Sequence, residues 1–382
     1  MYNEILKEKI LKESLLQEIN KSLTSKVPLV EKDISLFSRP KGIDIWTSNI
    51  NGVPCGRMII YLRSDVGCEH GSKTGGCSGC KHWRLGTAGK KLNIPDMYIK
   101  QYLSAVNSHG LKDVVSLYNE GNILNSEELP FEQLLYIIGH MAQNSVKKLI
   151  LESRPEFIDQ EKLNKIREIS GNMIIEVGIG LESANEFIRN ELFLKNIDLD
   201  KYEEAVETLN NCGFNPLTYV LLKPAFLNEL QAMADAVKTI KYAFSIGTKV
   251  VSLEPVGVEP YTLTEILYET GNYSPPMLWS VLDVVKQTYT LGEIRIGSCQ
   301  IEPRPTSLPS NCEYCTNRFL EQFEKWNQTY DISVINDLYC SNCHEKYINS
   351  IKYLDSTISE KSLRNKVYNF TENYYSINAV ET

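Results

Sequence analysis

No uninterrupted apolar run of about 18 residues occurs anywhere in the chain, so no membrane-spanning helix is expected. The amino-terminal stretch MYNEILKEKILKESLLQEINKSL alternates charge with Ile and Leu. It lacks the continuous apolar core of a secretory signal, and a cytoplasmic location is expected. There is no basic excess either: 40 Lys and Arg stand against 48 Asp and Glu, a formal net charge of −8. Proteins that grip nucleic acid unaided are more often basic, so a nucleic-acid substrate would call for a local basic patch or a partner. Histidine is scarce, and His70, His82, His109, His140 and His344 are isolated from one another. The rest is ordinary globular composition over 382 residues, 42% hydrophobic and 23% charged. That length allows one large α/β domain with a small appendage.

Cysteine is what the chain has in plenty, with ten residues. In a cytosolic protein this points to metal or redox chemistry more than to disulfides. Cys68, Cys77 and Cys80 fall in the stretch VGCEHGSKTGGCSGCKHW, spaced C-x8-C-x2-C, directly after the apolar run Met58-Ile59-Ile60-Tyr61-Leu62. This reads as a glycine-rich loop at the carboxyl end of a first buried strand. Three thiolates without a fourth in the loop suit a 4Fe–4S cluster with one iron left open. Spacing alone also admits half of a zinc site, or buried structural thiols.

From Arg57 onwards the chain alternates. Short apolar strands are expected at 58–63, 113–118, 147–152, 173–179, 216–222 and 249–254, and 293–299 could add another. Helices are expected at 96–109, 130–143, 159–170, 199–211, 229–246 and 276–291. Pro95, Pro130 and Pro276 mark helix starts, and Gly110, Gly171, Gly213 and Gly247 mark helix ends. Six strand-then-helix units in a row predict an α/β fold, a parallel sheet closed or nearly closed into a barrel. Apolar residues at Ile5, Leu6, Ile10, Leu15, Leu16, Ile19 and Leu23 predict an amphipathic helix packed on the outside of the domain. Residues 24–56, with Pro28, Pro40, Gly42, Gly52 and Pro54, read as an irregular lead-in.

A barrel of this kind places its site at the carboxyl ends of its strands, and polar residues fall there in succession. They are the cysteine loop, then Asn119-Glu120-Gly121-Asn122, Glu152-Ser153-Arg154, Glu182-Ser183, Lys223 and Glu254. Any one of them could be a helix cap or a loop hydrogen bond. Six in a row indicate a working mouth.

With these pieces in order, the sequence resembles the radical SAM superfamily over roughly residues 55 to 300. The cysteine loop, YNEGN after the second strand, ESRPEF after the third and VGIGLES in the fourth carry the resemblance. The last two are similar to the branch that includes the Elongator catalytic subunit. LLKPAFLNELQAMADA, EPVGVEPYTLTEILYETGNYSPPMLWSV, PSNCEYC and YCSNC are similar to the radical SAM proteins of archaeosine formation. The resemblance implies a partial (β/α)6 barrel of the TIM type that binds a 4Fe–4S cluster and S-adenosyl-L-methionine. Cys68, Cys77 and Cys80 would be the cluster ligands. Asn119, Glu120, Gly121 and Asn122 would lie beside the methionyl ammonium, with Glu152, Arg154 and Glu182 as further polar contacts to cofactor or substrate. The implied chemistry is reductive cleavage to a 5′-deoxyadenosyl radical. In the archaeosine system this leads to C–N cleavage of a lysine-modified deazaguanine in tRNA, with a transferase subunit as partner and an external electron donor. Radical modification of a small metabolite or peptide is a variant of the same reading. Two departures stand out: the long first gap between cysteines, and Gly79 where many members carry an aromatic residue. His82, Trp83 or Tyr118 could pack beside adenine instead, and His70 and His82 could tune the cluster.

Cys312-x2-Cys315 and Cys340-x2-Cys343 form paired knuckles, a zinc signature. An auxiliary iron–sulfur cluster, or no metal, are the alternatives. The segment between them looks helical and is short for an independent core, so a metal staple makes physical sense. Cys55, Cys212 and Cys299 read as single buried thiols, and Arg304 and Arg318 as solvated charges. The expected organisation is an amino-terminal helix and lead-in over 1–50, a core barrel over 51–300, a four-cysteine metal-binding domain over 301–350 and a loosely held polar tail over 351–382. The competing reading is a non-enzymatic zinc-binding adaptor on a barrel scaffold, and the six polar strand ends argue against it.

Overall fold

The structure, a computed structural model, describes residues 15–26, 34–50, 52–80, 91–297 and 305–378. Ile5, Leu6, Ile10, His82, Trp83, Cys299 and Arg304 lie outside the described residues.

Eight strands form one sheet in chain order. They are β1 (Gly42–Ile50), β2 (Val53–Tyr61), β3 (Val114–Tyr118), β4 (Lys148–Glu152), β5 (Ile174–Glu182), β6 (Asn215–Leu222), β7 (Val250–Pro255) and β8 (Glu293–Ile296). Strands β2 to β8 run parallel; β1 pairs antiparallel with β2. Helices α1 (Leu15–Ser25) and α2 (Glu69–Thr74) come early. The crossovers are α3 (Met97–His109), α4 (Phe131–Gln143), α5 (Gln160–Ser170), α6 (Leu199–Asn211) and α7 (Glu229–Ser245). After β7 follow α8 (Leu263–Glu269) and α9 (Leu278–Thr288), and after β8 come α10 (Thr316–Thr329), α11 (Ser333–Asn336), α12 (His344–Ile351) and α13 (Glu360–Asn378). This is the partial barrel that the alternating pattern predicts. Gly110, Gly171, Gly213 and Gly247 all carry positive φ, from 56° to 104°, where the helices stop.

Strands such as β3 are apolar at almost every position because helices cover one face and the barrel interior the other. Outside the sheet, α3 to α6 pack on β2 to β5, and α7, α9 and α10 pack on β6 to β8. Inside, Val114, Ile150, Leu217 and Val250 form an apolar floor. A charged group sits beside it: Glu176 pairs with Lys148 at 2.8 Å and Arg295 at 2.6 Å. Burial alone would raise the Glu176 carboxyl, but the two cations hold it down at about 2.

Two segments differ from the sequence reading. Part of the lead-in is β1, paired with β2 from Gly42 opposite Tyr61 to Ile50 opposite Val53. Its prolines and glycines misled because they stand at the ends: Gly52 makes the turn at φ 81°, and Pro54 sits at the strand margin, where a missing donor is tolerated. The polar tail is also structured, since α13 buries Leu363 and Val367. There Phe370 meets Phe226 at 5.8 Å, and Lys366 donates to the Phe226 carbonyl at 2.9 Å. Its apolar stripe is narrow, which hid it among polar residues. No helix among the described residues is long and apolar enough to cross a membrane.

Because Leu363 is fully buried, Leu363→Ala should lower unfolding stability by about 2–4 kcal/mol. Urea denaturation measures this; an unchanged midpoint would mean a detached tail.

Candidate active site

One cavity of about 1000 Å³ opens at the carboxyl ends of the strands and reaches down into the barrel. Cys68, Cys77 and Cys80 all line it. Cys68 follows β2 and caps the amino end of α2. The loop is pinned from two sides. Asn20 on α1 donates to the carbonyls of Gly75 and Gly76 at 2.9 and 2.8 Å, and Gln17 donates to that of Thr74 at 3.1 Å. On the other side the Ser78 amide bonds to the Phe193 carbonyl at 2.9 Å, the Ser78 hydroxyl to that of Leu192 at 2.8 Å, and His70 Nε2 to that of Leu194 at 2.9 Å. Burial pushes His70 down to about 4, so it is neutral and acts as a strut. Burial also pushes the Cys68 thiol up to about 11 and Cys77 to about 12, and both must lose a proton to ligate a metal.

The loop after β3 lies against the cysteine loop. A Cβ on Gly121 would stand 2.8 Å from Cys68 Cα and 1.9 Å from Glu128 Oε2, so only glycine fits. Asn122 Nδ2 points at Cys68 Sγ, 3.8 Å away, and at Glu128 Oε1, 2.7 Å away; its Oδ1 accepts from the Arg154 amide at 3.0 Å. Asn119 accepts from the Gly121 amide at 2.9 Å, while its Nδ2 is buried beside the cavity without a hydrogen-bond partner. Glu120 turns toward Lys41, 3.3 Å away, and the Ser64 amide.

The remaining predicted residues divide. Glu152 faces the cavity and accepts from the Tyr219 hydroxyl at 2.6 Å. Gly178 leaves room for that ring, since a Cβ there would lie 2.5 Å from Tyr219 Cε2. Glu182, at φ 67° where β5 shifts register, pairs with Lys195 at 2.6 Å. Burial works against the Lys195 ammonium, yet Glu182 beside it holds its pKa above the ordinary lysine range. Arg154 is committed elsewhere: it donates to the carbonyls of Lys195 at 2.8 Å and Asn196 at 2.9 Å and pairs with Glu156 at 2.5 Å. Tyr118 lines the cavity next to Tyr61, with ring centroids 5.7 Å apart. Sequence reasoning missed Lys195, Glu128, Tyr219 and Asn20. None stands in a motif, and each reaches the site only through the fold.

A second centre lies in the carboxyl-terminal part. Cys312, Cys315, Cys340 and Cys343 bring four Sγ atoms within 4.8 Å of one another. The closest pairs are 3.6 Å (Cys312–Cys315 and Cys315–Cys343) and 3.7 Å (Cys312–Cys340). Trp279 Nε1 donates to Cys343 Sγ at 3.3 Å.

Comparison with known proteins places this geometry. No protein-family model matches the chain. It is 29% identical over 303 residues to an uncharacterised protein of Methanocaldococcus jannaschii, covering 76% of this chain and 81% of that one. It is 26% identical to the archaeosine synthase subunit beta of Methanosarcina acetivorans, over 82% of this chain and 90% of the relative. The protein of the same name from Thermococcus kodakarensis is 28% identical, over 77% and 92%. The chain is thus similar, over most of its length, to two proteins named archaeosine synthase subunit beta. Among solved structures it aligns with the Elp3 protein of Methanocaldococcus infernus at 13% identity and a TM-score of 0.43, over 60% of this chain and 59% of that one. It also aligns with Escherichia coli coproporphyrinogen III oxidase, a radical SAM enzyme, at 14% identity and a TM-score of 0.39, over 61% and 51%.

Within the cavity, Glu254 has no cation beside it among the described residues. Burial pushes it up to about 7 from an ordinary 4.5, against the Ser252 hydroxyl bond. The folded chain therefore holds a proton that the unfolded chain has released between those values. This contribution is complete below the unfolded value and disappears as pH rises through about 7. Urea midpoints should fall from about pH 5 to about pH 8 more in wild type than in Glu254→Gln. Equal falls would show that this carboxyl is already ionised in the folded state.

Proposed function

We propose that this enzyme cleaves S-adenosyl-L-methionine reductively and uses the resulting radical to abstract hydrogen from its substrate. Cys68, Cys77 and Cys80 hold a 4Fe–4S cluster in this reading. The observation that carries it is that all three thiols, with no fourth in their loop, line one deep cavity after the first parallel strand. A cluster held by these thiols would supply the one electron needed to break a C–S bond of the sulfonium.

The chain's own residues bind, orient and shield. Asn119 Nδ2, buried without a partner, is ready to donate to the methionyl carboxylate. Asn122 and Gly121 hold the neighbouring backbone beside Cys68, and Glu120 ties that loop to Lys41. Glu152 and Glu182 offer acceptors for hydroxyl or ammonium groups, and Arg154 keeps the Lys195 segment over the cavity. The cavity is at the upper end of ordinary ligand pockets, large enough for the cofactor together with a second group.

For the substrate, the two relatives named archaeosine synthase subunit beta support a lysine-modified deazaguanine in tRNA, with C–N cleavage as the outcome. Their subunit name supports a partner chain, a transferase in this reading. A partner also suits the net charge of −8, because it can supply the basic surface that tRNA requires. An external donor supplies the electron.

The four-thiol centre fits zinc. A tetrahedral site with Zn–S near 2.3 Å sets its sulfurs about 3.8 Å apart, close to the 3.6 and 3.7 Å spacings here. A cubane binds each thiolate to a different iron and spreads them more widely. In this reading residues 301–350 form a zinc-stapled module, and the sheet of the core barrel starts at β1 (Gly42–Ile50), ahead of the expected boundary at 51.

Protein reconstituted without oxygen and then reduced should release 5′-deoxyadenosine from S-adenosyl-L-methionine, and Cys68→Ala should abolish this. Wild type inactive under every reductant, with zinc in place of iron in the loop, would overturn the proposal. Metal analysis should find one zinc per chain, lost in Cys340→Ser while loop iron is retained. Iron lost with it would argue for a second cluster.

A further inference from the structure

Among the described residues the sheet runs from β1 to β8 and β8 does not pair with β1, which leaves a lateral gap between those two strands. Helix α10 fills it. Asn327 acts like a strand residue toward β8: its Oδ1 accepts from the Ile296 amide and its Nδ2 donates to the Ile296 carbonyl, both at 2.8 Å. Trp326 Nε1 donates to the Ile294 carbonyl at 2.8 Å. On the far side Asn49 of β1 donates to the Gln328 carbonyl at 2.5 Å. The inward face of the helix, Asn317, Leu320, Glu321 and Glu324, lines the cavity opposite the cysteine loop.

These tethers are unevenly distributed. The carboxyl-terminal half carries Trp326, Asn327 and the Gln328 carbonyl. Tyr330 at its end donates to Glu293 at 2.7 Å, within the charged group at the barrel floor. The amino-terminal half begins at Cys315, which caps the helix three residues after Cys312. Its partners Cys340 and Cys343 lead into α12, and Tyr347 there donates to Asp283 of α9 at 2.7 Å. Apart from the thiols, that half is held by Phe319, whose ring meets Trp279 at 4.6 Å, and by bonds to the knuckles themselves: Arg318 donates to the Tyr339 carbonyl and Thr316 to that of Cys312.

We propose that the four-thiol centre is the tether of this wall: its metal fixes the amino-terminal half of α10, and with it Asn317, Leu320 and Glu321, against the cavity. The centre then acts as a structural pin for the substrate compartment, at a distance from the electron-transfer chemistry. Four Sγ atoms within 4.8 Å of one another repel as thiolates unless a cation sits between them, and without it they take up protons and lose the bonds that join the two knuckles. Loss of the metal therefore releases the knuckles and the half-helix that starts from one of them. The other half is held by bonds that need no metal.

Hydrogen exchange followed by mass spectrometry on the intact, metal-loaded protein tests this without S-adenosyl-L-methionine. Failure of the proposed reaction leaves the test valid, and failure of the test leaves the reaction standing. Removing zinc with a chelator, or replacing Cys340→Ser, should accelerate exchange in residues 316–322 by about tenfold or more. Residues 323–330, β4 and β5 should keep their protection. Asn327→Ala should do the converse, freeing the Ile296 amide while the metal stays bound. Two results would overturn the proposal: unchanged exchange at 316–322 after metal loss, or equal acceleration through 323–330 and the strands. If Cys340→Ser fails to fold, that equal loss has been observed, and chelation of the wild type decides whether it follows from the metal.

Discussion

A single buried carboxylate, Glu128, holds the cysteine loop and the loop after β3 in one piece. It accepts from the Asn122 backbone and side chain, from Asn125 Nδ2 and from the Glu69 amide at the start of α2. Those donors come from both loops, and the amide next to Cys68 is among them. Burial raises the Glu128 carboxyl, and the bonds it accepts oppose the rise. A half-satisfied group here would be costly, so the two loops move together or not at all. Gly121 then sits against Cys68 Cα with no space for a side chain.

The rest of the interior is arranged around keeping charge in place without water. Low in the barrel, Glu176, Lys148, Arg295 and Glu293 compensate one another. Higher up, Lys195 answers Glu182. Among the described residues, Glu152 and Glu254 accept from hydroxyls, those of Tyr219 and Ser252, and Lys195 also favours the charged form of Glu152. The compartment thus carries both signs of charge and is well supplied with acceptors where cofactor and substrate are expected. Helix α10 supplies the side that the sheet leaves open.

Much of this was legible in the sequence. Parallel strands buried on both faces read as short apolar runs, and helix-ending glycines punctuate them, so the barrel core emerges from pattern alone. The thiols emerge because ligand spacing is local. Contacts made across the fold do not. Lys195 belongs to the segment after β5, and only folding sets it against Glu182. Asn20 is one polar residue on an outer helix until its amide is seen bridging Gly75 and Gly76. Arg154 shows the converse: an arginine at a strand end reads as a ligand contact, but its guanidinium is spent on backbone carbonyls. The strand β1 was hidden by residues that belong to its ends, and α13 by a buried stripe only two residues deep at its start.

The account stands on one claim, that three thiols of one loop hold a cluster with an iron open to S-adenosyl-L-methionine. Electron paramagnetic resonance of the reduced, anaerobic protein tests it directly. A reduced 4Fe–4S signal whose shape changes when S-adenosyl-L-methionine is added is the predicted result, because the cofactor then ligates the open iron. A signal indifferent to the cofactor, or none after full reconstitution, would contradict it.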